Sequence, residues 1–213
     1  MTTRSQPLRI GVIDTGVNPW HPHVRGEVRG RRVFLAPDGR VCEDDDFRDL
    51  VGHGTAVAGI LRQGLPAAEL YVVRVFAENL VCYPSLVARG LLRAAAEGCR
   101  VINLSLGMAP GPGAEVLQAA CEAVIEAGIL LVAAGHPQQP GLLPASLPEV
   151  IGVLADEQLE PGTIKVNRDQ PCSHSACGWP RELRGLPSGA NLWGNSFACA
   201  RVTLDFALKM GAV

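Results

Sequence analysis

Short runs of β-branched and apolar residues alternate with stretches of helical periodicity along most of the chain, and this alternation restricts the fold more than any other feature. Residues 9–13 read as a buried strand ending in the turn Asp14-Thr15-Gly16, residues 55–62 as a helix and residues 70–76 as a second strand. Pro84 opens and Gly98 closes a helical segment, since proline suits a first turn and glycine the residue beyond a last one. A strand over 101–106, a helix over 114–127 closed by Gly128, a wholly apolar strand over 129–134 and another over 150–154 follow. Strands so uniformly apolar are buried on both faces. They predict a doubly wound α/β fold, a mainly parallel sheet with helices on both sides. Residues 157–195 are rich in Pro and Gly with little periodicity, and a last apolar helix is predicted over 196–210. No repeat or linker divides the 213 residues, 47% of them hydrophobic, so residues 1–213 are expected to form a single domain with a large core.

In such sheets the chemistry collects at the carboxyl ends of the strands. Asp14, Gly107 and His136 each follow a predicted strand and so belong to one edge. Partners are narrowed by charge. A net charge of −2 without a clustered basic surface argues against nucleic acid. Arg25, Arg29, Arg31 and Arg32 are offset by Glu43, Asp44, Asp45 and Asp46, which reads as a solvated loop or hairpin. The longest apolar runs are too short to span a bilayer, so no membrane partner is expected. Residues 1–8 are polar and run directly into a strand, leaving no room for a signal peptide, and no propeptide is expected before the first motif. Seven cysteines, an odd set without paired spacing, read as reduced thiols of a cytoplasmic protein.

Three segments carry chemistry: Ile-Gly-Val-Ile-Asp-Thr-Gly-Val at 10–17, Gly-His-Gly-Thr-Ala-Val-Ala-Gly at 52–59, and Gly-Asn-Ser-Phe-Ala at 194–198. Alone, an Asp after a strand is more often a turn residue, and Gly-His-Gly more often structural. Together they hold the three groups that nucleophilic catalysis by serine needs. A hydroxyl becomes a useful nucleophile when a neutral imidazole accepts its proton, and the imidazole needs a carboxylate on its other nitrogen to fix its tautomer. Ser196, His53 and Asp14 can fill these roles. Ser196 begins the last predicted helix, where free N–H groups favour an oxyanion.

In this order the segments resemble the Asp, His and Ser blocks of the subtilisin-like serine protease family. Asn-Leu-Ser-Leu-Gly at 103–107 resembles that family's substrate-binding strand, and Ala-Ala-Gly at 133–135 the approach to its oxyanion residue. The resemblance extends from about residue 8 to about residue 208. It implies a serine endopeptidase acting on an extended peptide or protein, with no cofactor, and with catalytic Asp14, His53 and Ser196. Ser105, Leu106 and Gly107 would present an edge to which the peptide adds as a strand. Ala133, Ala134 and Gly135 would wall the pocket for the residue before the cut, with Leu142 or Leu143 at its floor, favouring small side chains.

Four departures qualify the resemblance. His136 stands where the family has an oxyanion Asn; with the Ser196 N–H it would form the oxyanion hole, a ring N–H replacing the amide, unless the site has decayed. Asn195, Phe197 and Ala200 replace the usual Thr, Met and Pro around the serine. Residues 62–69 are too short for the calcium loop of many secreted relatives, so no metal is expected. The chain is also shorter than those relatives. Cys172-Ser-His-Ser-Ala-Cys177 lacks a fourth ligand for zinc and reads as a metal-free loop, while Cys199, one helical turn from Ser196, reads as core. Two functions therefore stand: limited processing of a dedicated peptide, such as a biosynthetic precursor, and a catalytically impaired pseudoprotease that keeps the groove as a binding module. A dinucleotide-binding domain is excluded because no Gly-rich fingerprint follows the first strand.

Overall fold

The computed structural model describes residues 7–211 except 79 and 169. In chain order the elements are β1 (Arg9–Asp14), β2 (Val28–Leu35), β3 (Val41–Asp44), α1 (His53–Gly64), β4 (Glu69–Arg74), α2 (Pro84–Ala96) and β5 (Val101–Leu104). They continue with α3 (Ala114–Glu126), β6 (Leu130–Ala134), β7 (Ile151–Ala155), β8 (Ile164–Val166), β9 (His174–Ala176) and α4 (Asn195–Gly211). All the strands join one sheet in the order β3-β2-β4-β1-β5-β6-β7-β9-β8. Its pairs are parallel apart from the two ends, where β3 runs against β2 and β8 against β9.

Neighbouring residues of the central strands enter different cores, which is why these strands are apolar throughout. Ile13, Val73, Ile102 and Leu131 pack beneath α2 and α3 with Leu91 and Leu117. Val12, Val72, Val101 and Val132 pack on the other face beneath α1 and α4 with Leu61 and Val202. Each such side chain, fully buried, is worth about 1.5–3 kcal/mol. No helix among the described residues is long and apolar enough to cross a membrane.

The structure departs from the sequence reading at the edges of elements. The strands expected to reach 76 and 106 leave the ladder at Arg74 and Leu104; Val75 stays in the core beneath α2 and α3, with Phe76 packed against it. The helix expected from Thr55 starts at His53. The charged stretch around 25–46 is a hairpin, but not merely a solvated one: β2 pairs with β4, and Arg32 faces Asp44 across the hairpin in a salt bridge. Arg93 of α2 reaches Glu43 at 2.8 Å, tying the hairpin to the helix layer. Charge obscures strand alternation in sequence because these strands are only half-buried. The short β8 and β9 form within the aperiodic region 157–195 and are too short to show a period, three residues each, with β8 at the sheet edge and β9 between it and β7.

Candidate active site

Three adjacent strands end together. The ladders set Ile13 opposite Leu104 and Leu104 opposite Ala133, so Asp14, Ser105 and the segment leading to His136 emerge along one carboxyl edge. Asp14 is fully buried. Its Oδ1 accepts the Thr15 N–H at 2.6 Å and pairs with His53 Nδ1 at 2.7 Å. Oδ2 has no hydrogen-bond partner among the described residues. The His53 side chain is 27% exposed. Burial acts to lower the imidazole pKa, but the charge and hydrogen bond of Asp14, helped by the charge of Asp49, outweigh it and hold the pKa above its ordinary value.

His53 is held at the head of α1 by contacts that no motif announces. Thr15 Oγ1 receives the Gly54 N–H at 3.0 Å and donates to Asp49 Oδ1 at 2.9 Å. Asp49 also takes the N–H groups of Val51, Gly52 and Thr55 and the Thr55 hydroxyl. It therefore caps the helix from outside the usual N-cap position, which Gly52 occupies in the left-handed region at φ 99°. These hydrogen bonds outweigh the opposing effect of burial and keep the Asp49 carboxyl below its ordinary pKa. The only sequence signal for Asp49 is an acidic residue ahead of a helix, which is common on any protein surface.

Gly54 is required by proximity. A Cβ there would collide with the Gly16 carbonyl and come within 3.0 Å of Asp14 Oδ1. Gly54→Ala is expected to cost about 1–3 kcal/mol of stability and to push His53 away from Asp14. Denaturant unfolding would measure the first effect. An NMR titration would measure the second as a fall in the His53 pKa; an unchanged pKa would mean that the junction has slack.

Ser196 lies in the first turn of α4, and the ring of Phe197 is tilted against His53 with centroids 5.5 Å apart. The Ser196 hydroxyl donates to the Ser105 carbonyl at 3.2 Å, while the Ser105 hydroxyl donates to the Ser196 carbonyl at 2.9 Å. Below this pair, buried Asn103 donates to Ser105 Oγ at 2.8 Å and accepts from Thr203 Oγ1 at 3.0 Å. The Cys199 thiol also reaches Asn103 Oδ1 at 3.4 Å. Burial lifts that thiol to about 12, so it acts as packing and not as a nucleophile. Asn195 Oδ1 accepts the Ala155 N–H at 2.8 Å and anchors the start of α4 to β7.

The remaining residues singled out from sequence lie around this centre with different exposures. Ser105 and Leu106 are buried, and Gly107 is exposed. Ala133 and Ala134 have their side chains in the two opposite cores, so only main chain is available there to wall a pocket. Gly135 donates its N–H to Val153 at 2.9 Å and has the Cys172 thiol pressed against its α-carbon. Of the two leucines, Leu142 abuts Gly107, whereas Leu143 is buried in the core and its main chain pairs with Met108. His136 is half-buried, and its Nδ1 accepts the Gln138 N–H at 3.3 Å, which leaves the proton of the neutral ring on Nε2. In the 172–177 loop, Cys172 packs toward Gly135 while His174 stacks edge-on to Phe206, 5.6 Å between centroids, so the two side chains serve different contacts. All seven cysteines are free thiols.

The subtilase family model matches residues 6–212. The nisin leader peptide-processing serine protease NisP of Lactococcus lactis subsp. lactis is 34% identical over 117 residues, which cover 48% of this chain and 17% of that protein. The major intracellular serine protease of Bacillus subtilis (strain 168) is 29% identical over 184 residues, covering 78% of this chain and 54% of that protein. The chain thus spans little more than half the length of one relative and less than a fifth of the other. Among solved structures, that of the prenylagaramide maturation protease PagA matches with a TM-score of 0.66 and 25% identity, over 96% of this chain and 76% of that chain.

Proposed function

This chain belongs to the subtilase family, and from that premise we propose that it is a serine endopeptidase with Ser196 as nucleophile, His53 as general base and then acid, and Asp14 as the group that orients the imidazole. The observation that carries the reading is the 2.7 Å bond between His53 Nδ1 and the fully buried Asp14 carboxylate. It fixes the tautomer in which Nε2 is free to accept a proton. The Ser196 hydroxyl rotates about χ1 from the Ser105 carbonyl to His53, gives up its proton and attacks the scissile carbonyl carbon. The oxyanion is met by the Ser196 N–H at the positive end of α4 and by the Nε2–H of His136. His53 then protonates the leaving amine, and water repeats the sequence to release the acid. The acyl half of the peptide lies along Ser105, Leu106 and Gly107, with Gly135 and the main chain of Ala133 and Ala134 opposite.

Limited processing of a dedicated peptide fits better than general degradation. Relatives of this chain are named for leader-peptide processing and maturation, and Leu142 packs against Gly107 at the end of the proposed peptide-binding segment. A cytoplasmic location is part of the reading, supported by seven free thiols of which five are buried. A second reading, a pseudoprotease that binds peptides, is favoured by the hydrogen bond of the Ser196 hydroxyl to Ser105 rather than to His53. A fluorophosphonate probe separates the two. Covalent labelling at Ser196 supports the enzyme; a protein that binds peptides and takes no label is the binding module.

Two results are expected of the enzyme. His136→Ala lowers kcat by about 10²–10³ with little change in KM, because the donor acts on charge that develops in the transition state, and His136→Asn restores it. Equal turnover of wild type and His136→Ala would remove His136 from the oxyanion hole. The second result is the position of the acid limb of kcat/KM. Activity needs neutral His53, whose folded pKa is raised, so the rate rises with pH through a midpoint above the ordinary value of about 6.5. The linked stability has the opposite sign: the His53–Asp14 contribution is complete below the unfolded histidine pKa and is lost as pH rises through the folded one. A midpoint below 6.5 would contradict this account.

A further inference from the structure

A cavity of about 380 Å³ lies at the head of α1, where Asp49, Gly52, Thr55 and Ala56 form part of its wall. Gly52, immediately before His53, and Asp49, whose charge acts on the His53 imidazole, both line it, which places it next to the proposed site. His53 must hand its proton to the leaving amine, and the fragment that departs with that amine therefore lies beside the imidazole.

Its lining is chemically uneven. Val51, Leu183 and Leu186 give an apolar rim, whereas His21, His23 and Arg181 supply nitrogen donors within it. The Arg181 guanidinium touches only carbonyls, those of His23 at 3.2 Å and Gly59 at 3.4 Å, through a single nitrogen, and among the described residues it has no carboxylate partner. His21 Nδ1 accepts the His23 N–H at 3.2 Å, which leaves Nε2–H of the neutral ring free to donate. The two imidazoles meet edge to face, 5.0 Å between centroids. The one carboxylate in the wall, Asp49, is engaged by five donors and cannot neutralise the arginine. An unpaired guanidinium beside ring donors inside an apolar rim is suited to a carboxylate, which strengthens as water is displaced.

Resting on the endopeptidase reading above, we propose that this cavity is a subsite for the leaving fragment and selects a carboxylate in it, either an acidic side chain or the chain terminus, through Arg181 and His21. The chemistry is the same for both sources, and titration calorimetry distinguishes them. The probes are tetra-alanine amides in which a single Glu is moved through positions two to four, the matching Gln set, and tetra-alanine as amide and as free acid. A Glu peptide that binds about tenfold tighter than its Gln partner identifies a side chain, and a free acid that binds about tenfold tighter than its amide identifies the terminus, the margin of one charge-assisted hydrogen bond. Arg181→Gln and His21→Gln should each shrink that ratio toward one, and Arg181→Lys should retain part of it. If no carboxylate peptide exceeds its neutral partner, or the ratio survives Arg181→Gln, the proposal is wrong. Fluorophosphonate labelling of the same samples reads Ser196 independently. Labelled protein without the carboxylate preference removes the subsite and keeps the protease; preference without labelling overturns the assignment to a leaving fragment and leaves a peptide-binding cavity.

Discussion

Ser196→Ala lowers kcat by a factor on the order of 10⁶ and abolishes fluorophosphonate labelling, while the melting temperature stays close to that of wild type. The first effect is large because, on the proposed mechanism, the hydroxyl is the reacting group; without it His53 and Asp14 have no proton to move, and the three act as one unit. The second is small because of where the side chain lies. Ser196 is half-buried in the first turn of α4, and its hydroxyl makes one hydrogen bond, to the Ser105 carbonyl. Losing that bond costs about 1 kcal/mol, partly offset by the better helix propensity of alanine. The bond from Ser105 Oγ to the Ser196 carbonyl and the Asn103 contacts beneath it do not involve the deleted atom. Activity and labelling that persist in Ser196→Ala would refute the assignment of the nucleophile, and a collapse of stability would mean that the variant cannot test it.

Arg62→Met is expected to lower the unfolding free energy by about 3–6 kcal/mol, far more than a surface arginine could. Arg62 is in the last turn of α1 and only 5% exposed. Its guanidinium gathers four main-chain carbonyls: Val24 at 3.0 Å, Glu27 at 2.7 Å, Pro66 at 3.1 Å, and Ala68. The segment before β2, the end of α1 and the entry to β4 are thereby tied to one cation. Methionine fills similar volume but donates nothing, and it leaves the Val24 and Ala68 carbonyls buried without partners at about 1.5–3 kcal/mol each. This junction is also where many secreted subtilisin-like proteins carry a calcium loop. A fixed guanidinium on the oxygens here accounts for a chain that holds the junction with so short a connection. Chelation should therefore leave the wild-type melting temperature unchanged, and urea unfolding of Arg62→Met and Arg62→Lys should show a large and an intermediate loss. A loss below 1 kcal/mol for Arg62→Met, or a fall of several degrees with chelator, would overturn this account.

Neither Arg62 nor Asp49 could be recognised in the sequence, although the motifs around them could. Asp14, His53 and Ser196 stand in short segments whose glycines and flanking apolar residues constrain them locally, so residue type and spacing already imply their chemistry. The central strands β1, β4, β5, β6 and β7 were legible for the same reason, since burial on both faces leaves a continuous apolar run. Strands β2, β3 and β8 were not, because an edge or half-buried strand tolerates charge and need not alternate, and β9, three residues long, is too short to show a period. The partners of Arg62 lie at positions 24, 27, 66 and 68 and contribute only backbone oxygens, for which every residue type is equivalent. The carboxylate of Asp49 likewise serves three backbone N–H groups.

The same distinction separates the identity of the reacting groups from their present arrangement. Sequence alone determined the α/β architecture and singled out the residues proposed for the acid–base chemistry, because apolar periodicity and motif order are properties of the chain read in one dimension. Tertiary structure alone decided that the Ser196 hydroxyl rests on Ser105, that Leu142 and not Leu143 abuts Gly107, and that Arg181, His21 and His23 share one cavity at the head of α1. These are contacts between residues up to 158 positions apart, made where loops without periodicity converge on the sheet. Their geometry comes from the packing of the two helix layers against the sheet, which no local pattern encodes.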